Sequence, residues 1–349
     1  MIFTSDNWAG AHPAIAASLS AHSTGFAPAY GTSDLDRKVE QTFNEIFGQD
    51  VAVFFVGTGT AANSLALSAI NRPGGVSFCH REAHVIADEC GAPEFFSGGS
   101  RLVPVNGAEG KIDPAALQAE IARFPEGFVH GGQPMAITLT QATETGTVYQ
   151  PDEIREISRI AKAHGLPLHM DGARFANALV ALDLTPAQMT VELGVDIVSF
   201  GGTKNGCWCA EALVFLDPAM ARQVPFIRKR AAQLFSKSRF IAAQFDAYFE
   251  NGLWLDIARH ANAMSSRLQD GINKSDKARL AWKSPANETF PIVSKAVAKQ
   301  LAAKGAMFYE WSPPRSGSHL LDEGEVMLRL VTSFATTQDH VDQFLDLLG

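Results

Sequence analysis

The stretch V-A-V-F-F-V-G-T-G-T-A-A-N, Val51 to Asn63, decides the fold. Val51 to Val56 is an uninterrupted apolar run, and it reads as a strand buried on both faces. Gly57 and Gly59 then break the chain, and Leu65, Ala66 and Ala69 follow at helical spacing within Thr60 to Ile70. A buried strand that turns at once into a helix is the start of a βαβ unit.

The unit recurs on both sides of this point. Val76 to Cys79, Arg101 to Val105, Ile137 to Thr140, Pro167 to Met170, Asp196 to Phe200 and Ala212 to Leu216 read as strands. Helices are expected from Asp113-Pro114 to Phe124 and from Pro151 to His164, each with Pro at its first turn. The alternation implies an α/β fold with a mostly parallel sheet covered by helices. After about Leu216 the pattern changes. Helical sequence runs through Phe240 to Tyr248 and Gly252 to Ile272. A strand or two follow, Ala278 to Trp282 and Val326 to Val331, and then a helix from Thr337. The expected division is an N-terminal segment 1–14, a large domain 15–240 and a smaller α+β domain 241–349.

Composition narrows the function. A formal charge of −8 and a pI of about 5.7 argue against nucleic acid or an anionic membrane as partner. No window is apolar and long enough to span a bilayer, and the N-terminus lacks a basic start followed by an apolar core. Cys79, Cys90, Cys207 and Cys209 form no metal-ligand or disulfide framework. A soluble protein of the reducing cytoplasm is expected.

In open α/β sheets the ligand crevice lies at the carboxyl ends of the strands. The residues there are a glycine loop (Gly57 to Asn63), His84 with Glu89, Asp171 in D-G-A-R, and Lys204 in G-G-T-K-N-G. Gly57, Gly59 and Ala62 satisfy the spacing of a dinucleotide fingerprint, with Glu82 as a poor fit for the ribose acid. The loop suits any phosphate, because a helix N-terminus offers free N–H groups. Lys204 discriminates between cofactors. A nicotinamide enzyme has no need of it, whereas pyridoxal phosphate needs an amine for a Schiff base. That cofactor also needs a carboxylate on its ring nitrogen, which Asp171 could supply, and an aromatic face, which His84 could supply. Each residue alone has an ordinary explanation as a solvated lysine, a turn aspartate or a loop histidine. Their joint occurrence at successive strand ends does not.

With these residues the chain resembles the L-threonine aldolases, low-specificity type, of the fold type I (aspartate aminotransferase-like) pyridoxal phosphate enzymes. The resemblance rests on S-D-N at Ser5 to Asn7, Y-G at Tyr30-Gly31, T-G-T-A-A-N at Thr58 to Asn63 and E-A-H at Glu82 to His84. It continues through D-G-A-R at Asp171 to Arg174, G-G-T-K-N-G at Gly201 to Gly206 and L-R-L-V-T at Leu328 to Thr332. It implies cleavage of L-threonine, L-allo-threonine or related β-hydroxy-α-amino acids to glycine and an aldehyde. It implies Lys204 as the Schiff-base lysine, Asp171 on the pyridine nitrogen, His84 on the ring, and Thr58, Gly59 and Thr60 on the phosphate. Ser5, Arg174 and Arg329 would hold the substrate carboxylate. Lys237 or Arg239 would reach a phosphate, and Tyr30, Trp8, His12, Glu89 and Glu144 would border the pocket. A homotetramer built as a dimer of dimers is implied as well.

One further point comes from the residues themselves, and a second from where this chain departs from the family it resembles. Arg329 interrupts the apolar V-M-L-R-L-V, and a buried guanidinium requires an anion, either a substrate carboxylate or an internal acid. Many relatives carry a histidine after the central strand where this chain reads T-Q-A-T-E-T-G, with Glu144 in its place. That leaves His84, or a water held by Glu89 or Glu144, as the base for the β-hydroxyl proton.

Overall fold

The computed structural model describes residues 1–315 and 319–349. Seven strands form the main sheet: β1 (Ala52–Val56), β2 (Gly75–His80), β3 (Arg101–Val105), β4 (Gln133–Thr140), β5 (Leu168–Gly172), β6 (Ile197–Gly201) and β7 (Glu211–Phe215). Their order is β1-β7-β6-β5-β4-β2-β3. The pairs from β6 through β5, β4 and β2 to β3 are parallel, as the alternation implied. Only β7 runs against its neighbours, β6 and β1. The reason is the length of its connection. Parallel neighbours need a crossover of a dozen residues or more, while β6 returns into β7 through the short segment 202–210. That return contains the 3-10 turn Thr203–Asn205 and Gly206 at φ 98°, a conformation glycine adopts without strain. The same return carries Lys204.

Both faces of the sheet are covered. Val198, Phe200, Ala212 and Val214 belong to one apolar core, while Ile197, Leu213 and Phe215 belong to another. Alternate residues of a strand point to opposite faces, so the two cores lie on either side. The second core is completed by Ala62, Leu65 and Ala66 of the helix Gly59–Ala69.

The C-terminal part holds more strand than its sequence suggested. It forms an antiparallel sheet of β8 (Ala278–Leu280), β10 (Pro291–Ser294), β12 (Glu325–Val331) and β11 (Tyr309–Trp311), with β9 (Glu288–Thr289) also on β12. β9, β10 and β11 are too short to carry a readable period. Phe3, Met264, Leu268, Leu328, Leu330 and Phe344 fill its core. Phe3 pins the N-terminus there: its N–H donates to Met307 O and its carbonyl accepts from Val331 N, both at 2.8 Å. This anchor delivers Asp6 and Asn7 to the edge of the main sheet.

Candidate active site

A cavity of about 220 Å³ opens at the carboxyl ends of the parallel strands. It gathers Gly57, Thr58, Gly59, Thr60 and Asn63 after β1, His84 and Glu89 after β2, and Asp171 and Ala173 at the end of β5. Thr203 and Lys204 come from the β6–β7 return, Glu211 from the start of β7, and Asn7 from the N-terminal segment. A larger hollow of about 890 Å³ lies at the opposite end of the sheet, around Pro134, Met135 and Pro167, and gathers no comparable chemistry.

Thr58 caps the helix Gly59–Ala69, its hydroxyl accepting from Ala61 N at 3.1 Å. The N–H groups of Gly59 and Thr60 lie in the first turn and have no acceptor within the helix, which makes this end an anion cradle. Gly57 N donates to Gln233 Oε1 at 3.1 Å, and a Cβ at Gly57 would stand 2.9 Å from the Phe235 ring. A side chain at 57 would have to displace the Phe235 ring of the 233–235 segment.

Asp171 is buried at 2% exposure. Its Oδ1 accepts from Ala173 N at 3.1 Å and its Oδ2 from Asn63 Nδ2 at 3.0 Å. Burial pushes its pKa up and the nearby Glu89 adds to this, against the pull of His84 and Lys204. Glu89 accepts from Asn63 Nδ2 at 2.8 Å and pairs with His84 Nδ1 at 3.0 Å, both on Oε1. That hydrogen bond raises the His84 pKa, outweighing partial burial. Glu211 accepts from Thr203 N at 3.3 Å, and burial pushes its pKa up to about 7.

A second polar cluster adjoins the cavity. Arg174 donates from Nε to Asp6 Oδ2 at 2.8 Å and from Nη2 to Asp6 Oδ1 at 3.2 Å, and stands 3.5 Å from Glu288 Oε2. Arg329 donates to Glu288 Oε1 from Nε at 2.8 Å and from Nη2 at 2.5 Å, with its guanidinium 4.8 Å above the Trp311 ring. The anion demanded by Arg329 is thus present as an internal acid. Among the described residues Arg329 donates from Nε and Nη2, which leaves Nη1 with donors for a guest carboxylate. Burial works against charge at Asp6, yet Arg174 and Lys204 hold its carboxyl below the ordinary range.

Other expected residues lie elsewhere. Ser5 caps the short turn Asp6–Trp8 through its hydroxyl, 3.1 Å from Asn7 N. His12 caps the helix Pro13–Ala21 and packs edge-on against Phe334. Trp8 and Tyr30 are 53% and 52% exposed, and Lys237 is exposed; none of the three lines the cavity. Arg239 is spent on the carbonyls of Thr24 and Gly25. Glu144 lines a neighbouring cavity of about 420 Å³ with Trp311, Pro313, Pro314 and Arg315. Burial opposes its ionisation, but Lys204 and Arg174 hold its carboxyl below the ordinary range. Glu82 faces that cavity too and accepts from Arg315 N at 2.8 Å, so the acid proposed for the ribose does not line the cavity of the glycine loop. The dinucleotide spacing of Gly57, Gly59 and Ala62 is corrected on that ground.

Comparison with known proteins agrees with this geometry. Residues 3–296 match the family described as beta-eliminating lyase. A low specificity L-threonine aldolase from a Pseudomonas species is 41% identical over 88% of this chain and 88% of its own. The chain belongs to the beta-eliminating lyase family, on the low-specificity L-threonine aldolase side. A solved threonine aldolase of Leishmania major superposes with a TM-score of 0.92 at 28% identity, covering 99% of this chain and 98% of its own. Serine palmitoyltransferase of Sphingomonas wittichii shares the fold at a TM-score of 0.72, with 17% identity over 100% of this chain and 86% of its own. The fold is that of the type I pyridoxal phosphate enzymes.

Pyridoxal phosphate is the cofactor of this family, and the residues present fit it. The anion cradle at Gly59, the buried carboxylate of Asp171 and the amine of Lys204 converge on one cavity. The pyridinium would set a cation directly against Asp171, whose carboxylate accepts from Ala173 N and Asn63 Nδ2 among the described residues. Sequence reasoning overlooked Asn63 and Glu211 as site residues. The signal for Asn63 was an amide one turn inside an apolar helix, and for Glu211 an acid opening the apolar strand E-A-L-V-F.

Proposed function

We propose that the protein cleaves L-threonine, L-allo-threonine and related L-β-hydroxy-α-amino acids to glycine and an aldehyde. The observation that carries this reading is the meeting of Lys204, Asp171, His84 and the Thr58–Thr60 turn in one cavity. When bound, pyridoxal phosphate supplies an aldehyde that condenses with amines and a sink for the electron pair of the breaking Cα–Cβ bond.

In this reading Lys204 Nζ would be the amine that holds the cofactor. Asp171 would face the ring nitrogen, and the N–H groups of Gly59 and Thr60 with the Thr58 hydroxyl would hold the phosphate. Arg329 Nη1, with Arg174 beside it, would hold the substrate carboxylate and so fix the orientation of the bond to be broken. His84 commits its Nδ1 to Glu89, so Nε2 is the atom left to take the β-hydroxyl proton. The 420 Å³ cavity beyond Glu144, walled by Trp311 and prolines, is large enough for the side chain of phenylserine. The same reading takes 1–14, 15–240 and 241–349 as the functional divisions. It also places the protein in the cytoplasm as a homotetramer, with Tyr30 a site wall from one copy or the other, Lys237 reaching the phosphate of a neighbouring copy, and Trp8 and His12 as pocket walls.

The test is purified protein with threonine, allo-threonine and phenylserine. Glycine plus aldehyde is expected, with a visible absorbance that borohydride removes while labelling Lys204. Ammonia and a keto acid instead would place the chain with the β-eliminating members of its family.

A further inference from the structure

The reading above leaves one buried side chain unused. Asn63 lies one turn inside the helix Gly59–Ala69 and is 2% exposed. Its Nδ2 is 2.8 Å from Glu89 Oε1 and 3.0 Å from Asp171 Oδ2, while its own Oδ1 has no partner among the described residues. The opposite flip would set an oxygen against two carboxylates, so the N–H groups face them. Glu89 in turn holds His84 on the same Oε1. An unbroken line of hydrogen bonds therefore runs Asp171–Asn63–Glu89–His84, from the end of β5 to the segment after β2. An amide that leaves its own oxygen bare in order to serve two carboxylates is placed for those carboxylates.

We propose that Asn63 is a positioning residue. One carboxamide fixes Asp171 and Glu89 together, and so couples the acid at the cofactor's ring nitrogen to the orientation of His84. The inference rests on the roles given to Asp171 and His84 above. Two buried carboxylates this near each other repel, and without the shared donor one of them takes a proton. Lys204, Glu144 and Glu211 face the line from the cofactor side, and the buried Cys79 thiol faces Glu89. A protonated Asp171 no longer favours a protonated ring.

The test uses full-length protein titrated with pyridoxal phosphate, with affinity and the pH dependence of visible absorbance as readouts and thermal stability as control. Asn63→Ala is expected to weaken the cofactor about tenfold or more, the scale of a lost charge-assisted hydrogen bond. It is also expected to shift the absorbance titration. Asn63→Ser, which keeps one donor, falls between and carries the test should Asn63→Ala not fold. Adding Glu89→Gln to either variant removes the like charge and recovers part of the affinity. Unchanged affinity and absorbance titration alongside lowered thermal stability would overturn the proposal. So would additive losses in the double variant. Wild-type protein that binds no pyridoxal phosphate sinks the functional reading and this inference with it. Wild type that binds it and cleaves threonine, matched by Asn63→Ala, sinks the inference alone.

Discussion

Single residues set the chemistry through their neighbours. His84 has a raised pKa because Glu89 accepts from it. The pairing therefore stabilises the fold fully below the ordinary histidine value and fades as pH rises through the raised one. Glu89→Gln should lower the His84 pKa, read by NMR titration of the ring in the cofactor-free protein. It should also cost more stability near about pH 5 than near about pH 9. Glu211 is the opposite case. Its pKa is raised by burial to about 7, so its ionisation removes stability as pH climbs from the ordinary glutamate value through about 7. Glu211→Gln mimics the protonated form. It should leave the cofactor-free protein unchanged near about pH 5 and more stable than wild type near about pH 9, in thermal melts across pH. At Lys204 the expectation is categorical: Lys204→Ala loses the covalent link, and borohydride then incorporates no label there.

Elements place those residues. The return from β6 to β7 is short enough to reverse β7, and it hangs Lys204 over the end of β5 where Asp171 stands. The loop after β4 does the corresponding work for the arginines. Gly146 sits there at φ 71°, with Ser284 Oγ donating to its carbonyl at 2.7 Å. A Cβ on it would stand 2.2 Å from Ser284 Oγ and 3.0 Å from Glu288 Cβ. Gly146→Ala combines a left-handed backbone with overpacking, and should cost about 2–4 kcal/mol in chemical denaturation. Because Glu288 pairs with both Arg174 and Arg329, the same variant should raise KM for threonine more than it lowers kcat. A change in stability with KM untouched would separate this loop from the carboxylate site.

At the scale of the molecule, the exposed apolar residues are where the proposed assembly can be tested. Phe26, Phe226, Trp208, Tyr30 and Trp8 all stand open to solvent, side chains suited to burial against other copies in the proposed homotetramer. Sedimentation should find a species larger than the monomer, and Phe26→Asp with Tyr30→Asp should shift it toward the monomer with loss of activity. A fully active monomer would contradict this. The sequence by itself determined that the main sheet is mostly parallel, because buried strands and amphipathic helices announce themselves by period. It also determined that Lys204, Asp171, His84 and the glycine loop stand at strand ends, since each follows directly on such a strand. Tertiary structure alone decided what those groups touch. Asn63 reaches Asp171 across 108 residues of chain, and Glu288 joins Arg174 to Arg329 from a strand of two residues. Period is a local property that a window of sequence carries. A hydrogen bond between buried polar groups is fixed by the packing of distant segments, and no window contains both partners.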